Sequence, residues 1–410
     1  MREQKLNKKK IFNDPVYGFI TLKDEFIIEI IDHPWFQRLR RISQLGLSHL
    51  VYPGAVHNRF HHAIGAMNLM QETLDSLKQK GVEITDKEEL GATLAILLHD
   101  VGHGPFSHAL EHSIVSDISH EELTLLIMHH LNEEFGGKLN TAIEIFSDTY
   151  KKKFLHQLVS SQLDMDRLDY LSRDSFYSGV SEGIVGTERI IKMLDVQDDQ
   201  VVVEEKGIYS IEKYIVARRL MYWQVYLHKT VLSAEFMLVN ILKRAKQLAH
   251  DDIDLFATPV LREFLYSEYD MSLIRSDKTI LEKFCELDDY DVLACIKVWK
   301  NHEDKVLSLL SSSLLNRKLF KIKLSSEKWP EELISKMKHR ISEKYELSLD
   351  EAAYFVIHDM VDNKAYSPAS ENILIKMKDG TVTDLALASD HLNISALSDP
   401  VQKWFLAEYL

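Results

Sequence analysis

Leu94-Ala95-Ile96-Leu97-Leu98-His99-Asp100-Val101-Gly102-His103-Gly104-Pro105-Phe106-Ser107-His108 is the stretch on which the reading of this chain turns. An apolar run ends on an imidazole and a carboxylate. At the close of a buried helix both groups are costly to desolvate unless something pairs with them. A metal ion suits them, because neutral His and ionised Asp are both good ligands for divalent cations. The glycines and the proline that follow stop the helix and let backbone approach closely.

Helical spacing dominates on both sides of this run. Apolar residues at helical intervals cover 24–45, on either side of Pro34, and a turn follows at Tyr52-Pro53-Gly54. Residues 58–80 read as one helix ending before Gly81, and 87–99, 120–133, 141–147 and 151–172 as further helices. A short hairpin is expected from residues 201–203 and 208–210 around Gly207, then a long helical segment over 211–248. Beyond it, 250–315 stays helical, and 319–324 alternates like a strand. Residues 373–377 and 381–385 alternate likewise, joined through Lys378-Asp379-Gly380, with helices at 329–345 and 349–360 between. The expectation is a mainly α protein. It has a helical core with an N-terminal arm over 1–250, a helical extension over 251–315 and a small appended α+β C-terminal subdomain over 316–410.

Size and composition bound the function. The chain has 410 residues, 45% hydrophobic and 27% charged, ordinary values for a globular protein with a sizeable core. No stretch is long and apolar enough to span a bilayer, and the opening Met1-Arg2-Glu3-Gln4-Lys5 lacks the apolar segment of a signal peptide. Cys285 and Cys295 show neither metal spacing nor a disulfide framework. A cytoplasmic protein without a membrane partner is expected. The formal charge of −14 removes a global basic footprint, so nucleic acid is not an expected partner. An acidic protein that handles phosphates must concentrate its cations inside the site.

Of the 19 histidines, His33, His49, His156, His250, His302, His339, His358 and His391 stand alone and read as core or surface residues. The clusters differ. Arg59-Phe60-His61-His62 opens one helix, His99-Asp100 closes another, His103, His108 and His112 follow the glycines, and His120-Glu121 opens the next helix. A further ligand should come from a distant acidic residue, and Ser161-Gln162-Leu163-Asp164-Met165-Asp166-Arg167-Leu168-Asp169-Tyr170 supplies candidates. On a continuous helix Asp166 shares the stripe of Leu155, Leu158, Val159 and Gln162, whereas Asp164 points away. The segment is too apolar for a freely solvated acidic helix.

The string His62 … His99-Asp100 … Asp166 resembles the HD-domain metal-dependent phosphohydrolases, whose metal is held by an H…HD…D set. The longer blocks narrow the resemblance. Gln44-Leu45-Gly46, Tyr52-Pro53-Gly54-Ala55-Val56-His57-Asn58-Arg59-Phe60-His61-His62, the 99–108 run and Asp164-Met165-Asp166-Arg167-Leu168-Asp169-Tyr170 are similar to the deoxynucleoside triphosphate triphosphohydrolase branch, over roughly residues 11–245. Some members of that branch carry a sterile-alpha-motif domain ahead of the HD core. None is expected ahead of the core here, where the N-terminal arm is short.

The resemblance implies an HD-domain helical core and a cast of residues. His62, His99, Asp100 and Asp166 would hold one divalent ion, and Mn, Fe, Zn and Mg all suit this mixed N/O set. A further Mg ion could accompany the nucleotide. Arg59 would contact the α-phosphate. His103 and His120 would act near the scissile bond, with His108 and Glu111 beside them; Glu111 stands where the mammalian member has Asp. Gln44, Tyr170 and Asp174 would line the sugar site, with Tyr170 and Leu45 forming a wall against C2′. Tyr226, His228 and Lys229 would contact base and phosphate. The implied reaction is hydrolysis of a dNTP by water attack at the α-phosphorus, giving deoxynucleoside and triphosphate. An HD-type phosphatase or phosphodiesterase on other nucleotides stays open, as does a nucleotide-binding regulatory protein without turnover. A homodimer or homotetramer and an allosteric nucleotide are further implied partners.

Overall fold

A computed structural model of the chain describes residues 10–106, 118–363, 372–390 and 401–409. Helices Arg59–Gln79, Asp86–Leu98, His120–Glu134, Asn140–Phe146, Lys153–Val159 and Met165–Ser178 form the body around the quoted stretch. The quoted run behaves as read: residues 94–98 are fully buried in the last turns of Asp86–Leu98, and His99 is its C-terminal cap. Capping boxes start two of these helices, Asn58 with His61 and Thr85 with Glu88, and so fix where each chain segment enters.

The 24–45 segment is not one helix. His33 and Pro34 end Glu25–Asp32 and start a short Pro34–Gln37 helix, and a 3₁₀ turn follows over Arg38–Arg41. The 151–172 segment is also divided, into Lys153–Val159 and Met165–Ser178. Asp164 is not part of a continuous helix: it is the N-cap of the second one, accepting from Arg167 N at 2.7 Å. The expected hairpin through Gly207 is a correction as well. Strand β3 (Leu194–Gln197) pairs antiparallel with β4 (Gln200–Glu204), and Ile208–Met221 is a helix. Gly207 serves packing rather than a hairpin turn, since a Cβ there would lie 2.7 Å from Val203 Cγ1 and 2.9 Å from Met193 Cβ. The long helical segment breaks at a π-turn over Tyr222–Tyr226, and Lys229–His250 leaves it at 55°. Among the described residues no single helix is long and apolar enough to cross a membrane.

The C-terminal strands are woven into this body. Besides a hairpin of β1 (Ile11–Asp14) and β2 (Gly18–Thr21), there are β5 (Lys321–Ser325), β6 (Val356–Asn363), β7 (Leu374–Lys376), β8 (Val382–Asp384) and β9 (Val401–Glu408). β7 and β8 pair antiparallel as expected from their sequence, but β7 also runs parallel to β4, with Val203 opposite Ile375. β5, β9 and β6 form a separate antiparallel sheet in that order. It packs on Lys229–His250, where Phe405 stacks on Phe236 at 4.6 Å and Ser233 Oγ donates to Phe320 O. The expected helix over 349–360 ends at Ala353, and β-branched Val356 and Ile357 begin β6 instead.

Candidate metal centre and adjoining pocket

Three helix ends bring the ligands together. At the start of Arg59–Gln79, His61 is committed to the cap: its N–H donates to Asn58 Oδ1 and its Nδ1 accepts from Asn58 N. Its neighbour His62 turns inward and is fully buried. His99 closes Asp86–Leu98, and Asp166 sits in the first turn of Met165–Ser178. His62 Nε2 lies 3.3 Å from His99 Nε2 and 3.1 Å from Asp166 Oδ1. His99 Nε2 is 3.4 Å from both Asp166 Oδ1 and Asp100 Oδ1, and Asp100 Oδ2 is 3.7 Å from His62 Nε2.

The hydrogen bonds behind these groups fit a cation. His62 Nδ1 bonds Asp169 Oδ2 at 2.7 Å, and His99 Nδ1 bonds the Ile96 carbonyl at 2.6 Å. Both acceptors fix the proton on Nδ1, so both Nε2 lone pairs face one point that two carboxylates also face. Such an arrangement repels itself until a positive charge enters, and it is the donor set and outer hydrogen bonding of a metal site. The same demand shows in the imidazole. Burial lowers His62, but its bonds to Asp166 and Asp169 outweigh this and raise it to about 10. Burial likewise opposes ionisation of Asp166, yet the two imidazoles hold its carboxyl well below the usual range. His62, His99 and Asp166 together could hold a metal ion.

Asp169 is itself pinned. Arg173 donates to both its oxygens, at 2.9 and 3.0 Å, and to Asp14 at 2.8 Å. Gly65 makes room for this pair: a Cβ there would lie 2.0 Å from Arg173 Nη2 and 2.1 Å from Asp169 Oδ1. Arg59, buried beside the ligands, donates to Asp100. His103 Nε2 is 3.3 Å from Asp100 Oδ1, and its ring stacks on His120 with centroids 3.9 Å apart. Burial, reinforced by the Arg59 charge, pushes His103 down to about 3, so its imidazole is neutral at rest. His108, Glu111 and His112 lie outside the described residues.

Two tyrosines and a buried carboxylate stand on the same helix as Asp166 or against it. Tyr226 OH donates to Asp174 Oδ2 at 2.7 Å, and His57 Nε2 bonds Asp174 Oδ1 at 2.7 Å. The Tyr170 and Tyr226 rings meet edge to face, 6.1 Å apart. Gln44 and Leu45 are half-buried, and Gln44 N donates to the His57 carbonyl. His228 caps Lys229–His250 by accepting from Thr230 N, and its ring meets Tyr52 at 6.0 Å; Lys229 is exposed.

Several contributors were not assigned to the site from sequence. Asp169 and Arg173 stand four apart on one helix, a spacing that could have marked a buried pair. His57 carried no signal beyond its place in the Tyr52–His62 block. Arg167 and Arg218 both act electrostatically on Tyr170, and Arg218 lies 6.0 Å from the Tyr222 ring. Arg38 is fully buried and donates to the carbonyls of Val101, His103, Phe284 and Leu287 at 2.8–3.2 Å.

Comparison with known proteins agrees with this geometry. The HD domain family matches residues 59–174, and the HD associated region matches residues 185–258. A Bacillus subtilis protein named uncharacterized protein YwfO is 36% identical over 94% of this chain and 89% of its own length. A Dictyostelium discoideum deoxynucleoside triphosphate triphosphohydrolase, a SAMHD1 homolog, is 34% identical over 58% of this chain and 50% of its own. The crystal structure of a phosphohydrolase from Bacteroides thetaiotaomicron superposes with a TM-score of 0.95 at 52% identity, covering 98% of this chain and all of the other.

Proposed function

The chain belongs to the HD-domain phosphohydrolases, and from that membership we propose that it hydrolyses deoxynucleoside triphosphates to deoxynucleoside and intact triphosphate. The observation that carries the reading is the convergence of His62, His99, Asp100 and Asp166, with Tyr170 and Asp174 on the helix that supplies Asp166. Those ligands would hold a divalent ion, which supplies charge neutralisation at phosphoryl oxygens and a water of lowered pKa.

The chain's own residues divide the remaining work. Arg59 offers a planar fork to phosphate oxygens at the buried end of the site. Arg167 and Arg218 add cations on the Tyr170 side, where a polyphosphate tail needs them in an otherwise acidic protein. His103 is neutral until an anion arrives, and a phosphate beside it raises its affinity for a proton. With His120 stacked against it, this imidazole pair is placed to deliver a proton to the departing 5′-oxygen. His108 and Glu111 complete the proposed catalytic group. Asp174, held by His57 and Tyr226, would accept from the sugar hydroxyl, and Tyr170 with Leu45 would crowd a 2′-hydroxyl. Gln44, His228 and Lys229 would complete the contacts to sugar, base and phosphate.

The test is a product assay. Metal-loaded protein is incubated with the four dNTPs, the four NTPs, dNMPs and a cyclic dinucleotide. Triphosphate and deoxynucleoside from dNTPs alone support the reading; orthophosphate, pyrophosphate or a linear dinucleotide overturns it. Tyr170→Ala should narrow the preference for dNTPs over NTPs, and an unchanged ratio would remove Tyr170 from the sugar role. A homodimer or homotetramer that responds to nucleotide belongs to the same proposal, and size-exclusion chromatography with and without dGTP checks it.

A further inference from the structure

Away from the metal centre, a cavity of about 330 Å³ opens between the Lys153–Val159 helix, β4 and the start of β7. Its floor is apolar, built by buried Leu163, Val203 and Ile373. Its polar side chains are the amides of Gln157, Gln162, Gln200 and, at the exposed rim, Asn372, with the Ser161 hydroxyl. Gln157 is pinned, accepting from Val201 N at 2.8 Å and donating to Gln200 Oε1 at 2.7 Å. The Gln200 amide accepts through Oε1 in that bond, so its N–H₂ is a donor on this wall. Among the described residues no Lys, Arg, Asp or Glu lines the cavity.

This chemistry selects a ligand class. Carboxamides match the donor and acceptor edges of nucleobases, and apolar walls suit the faces of the ring. The volume falls in the range of small-ligand pockets. Among the described residues no cation faces the cavity, and burial of a phosphate needs a paired charge. We propose that the cavity between Gln157, Gln200 and Asn372 is a second ligand site that takes an uncharged nucleoside. The ligand class stands on the lining alone; that the ligand is also a product of this enzyme rests on the function proposed above.

The position gives the site reach. Ser161, also in the lining, accepts from Arg167 Nε at 2.6 Å and donates from its N–H to Asp164 Oδ2 at 2.7 Å. Both partners flank Asp166. A ligand seated there therefore stiffens the start of the helix that carries a metal ligand.

The experiment uses the full chain with its pocket at the metal centre saturated by a dATP analogue carrying an α,β-imido bridge. Deoxyadenosine is then titrated by calorimetry, with dAMP as the charged comparator. One deoxyadenosine should bind per chain, about tenfold or more tighter than dAMP, and amide hydrogen exchange over 161–167 should slow. Val201→Trp, which fills the cavity, and Gln200→Ala, which removes its donor, should each weaken deoxyadenosine about tenfold or more while turnover is kept. Absence of deoxyadenosine binding, dAMP binding as tight as deoxyadenosine, or unchanged affinity in both variants overturns the proposal. Failure of the analogue to bind would instead strike the proposed reaction, and the Val201→Trp comparison would still decide the cavity.

Discussion

At the residue scale the metal centre depends on one shared direction. His62 and His99 each give their Nδ1 proton to a fixed acceptor and turn Nε2 to the same point as Asp166. Asp166→Ala removes a ligand from that point, so metal content and turnover should vanish together; a variant that keeps full activity would discredit the assignment. Asp169 touches no substrate in this scheme. It positions His62, and breaking a carboxylate–histidine pair of this kind weakens metal binding by about 10- to 100-fold. Asp169→Asn should show that loss in a chelator competition while far-UV circular dichroism stays native. A variant that binds metal as tightly as the parent would leave Asp169 a structural role only. His61 and His62 also illustrate what a sequence carries. Both are imidazoles in one helical turn, and only the cap geometry at Asn58 shows physically why the second one faces the ligands.

At the element scale, the helix that delivers His99 is held at its far end by Glu88. This carboxylate is buried, which opposes ionisation, yet Lys152 at 2.8 Å, the Thr85 N–H and Tyr150 outweigh that and hold it at about 2. A depressed carboxylate stabilises the fold above its unfolded pKa and loses that contribution as pH falls through the folded value. The window here runs from about 4.5 down to about 2. Glu88→Gln should flatten the stability profile across that window in chemical denaturation, and an unchanged slope would contradict the pairing. The turn after His99 is held differently. Arg38 ties the carbonyls of Val101 and His103 to those of Phe284 and Leu287, and Asp289 accepts from Ser43 N and Phe106 N. Arg38→Met removes the donor to the Val101, His103 and Leu287 carbonyls, each costing about 1–3 kcal/mol if nothing replaces it, while Phe284 O keeps its bond from Leu287 N. It should lower kcat more than it raises KM, because it moves the His103 turn rather than a binding contact. Neither anchor was visible in the sequence, since each joins segments more than 180 residues apart.

At the scale of the whole molecule, strands from the 316–410 segment pair with and pack on the segment before it. β7 pairs with β4 across the chain, Ile375 is fully buried opposite Val203, and Phe405 stacks on Phe236 of the Lys229–His250 helix. A chain ending at residue 315 would bare those surfaces. It should unfold at lower temperature than the full chain and lose the metal centre in the same transition; independent melting with an intact centre would show two separable units.

Periodicity made most helices of the body readable, because each one's burial pattern repeats within a few residues of its own chain. The His-Asp pair at the end of an apolar run was readable for the same local reason: desolvating those groups demands a partner wherever the helix packs. Breaks such as the split at Asp164 and the strand at Val356 were decided by capping and by pairing with distant residues, which no local window contains. Residue types and their order along the chain therefore determined that this protein is helical, and the resemblance to HD-domain phosphohydrolases marked His62, His99, Asp100 and Asp166 as candidate ligands. Only the tertiary structure decided which nitrogen of each imidazole faces the centre, that Asp169, Arg173 and His57 stand behind the site, and that β7 closes on β4. Those outcomes depend on contacts between segments far apart in sequence, and such contacts exist only once the chain has folded.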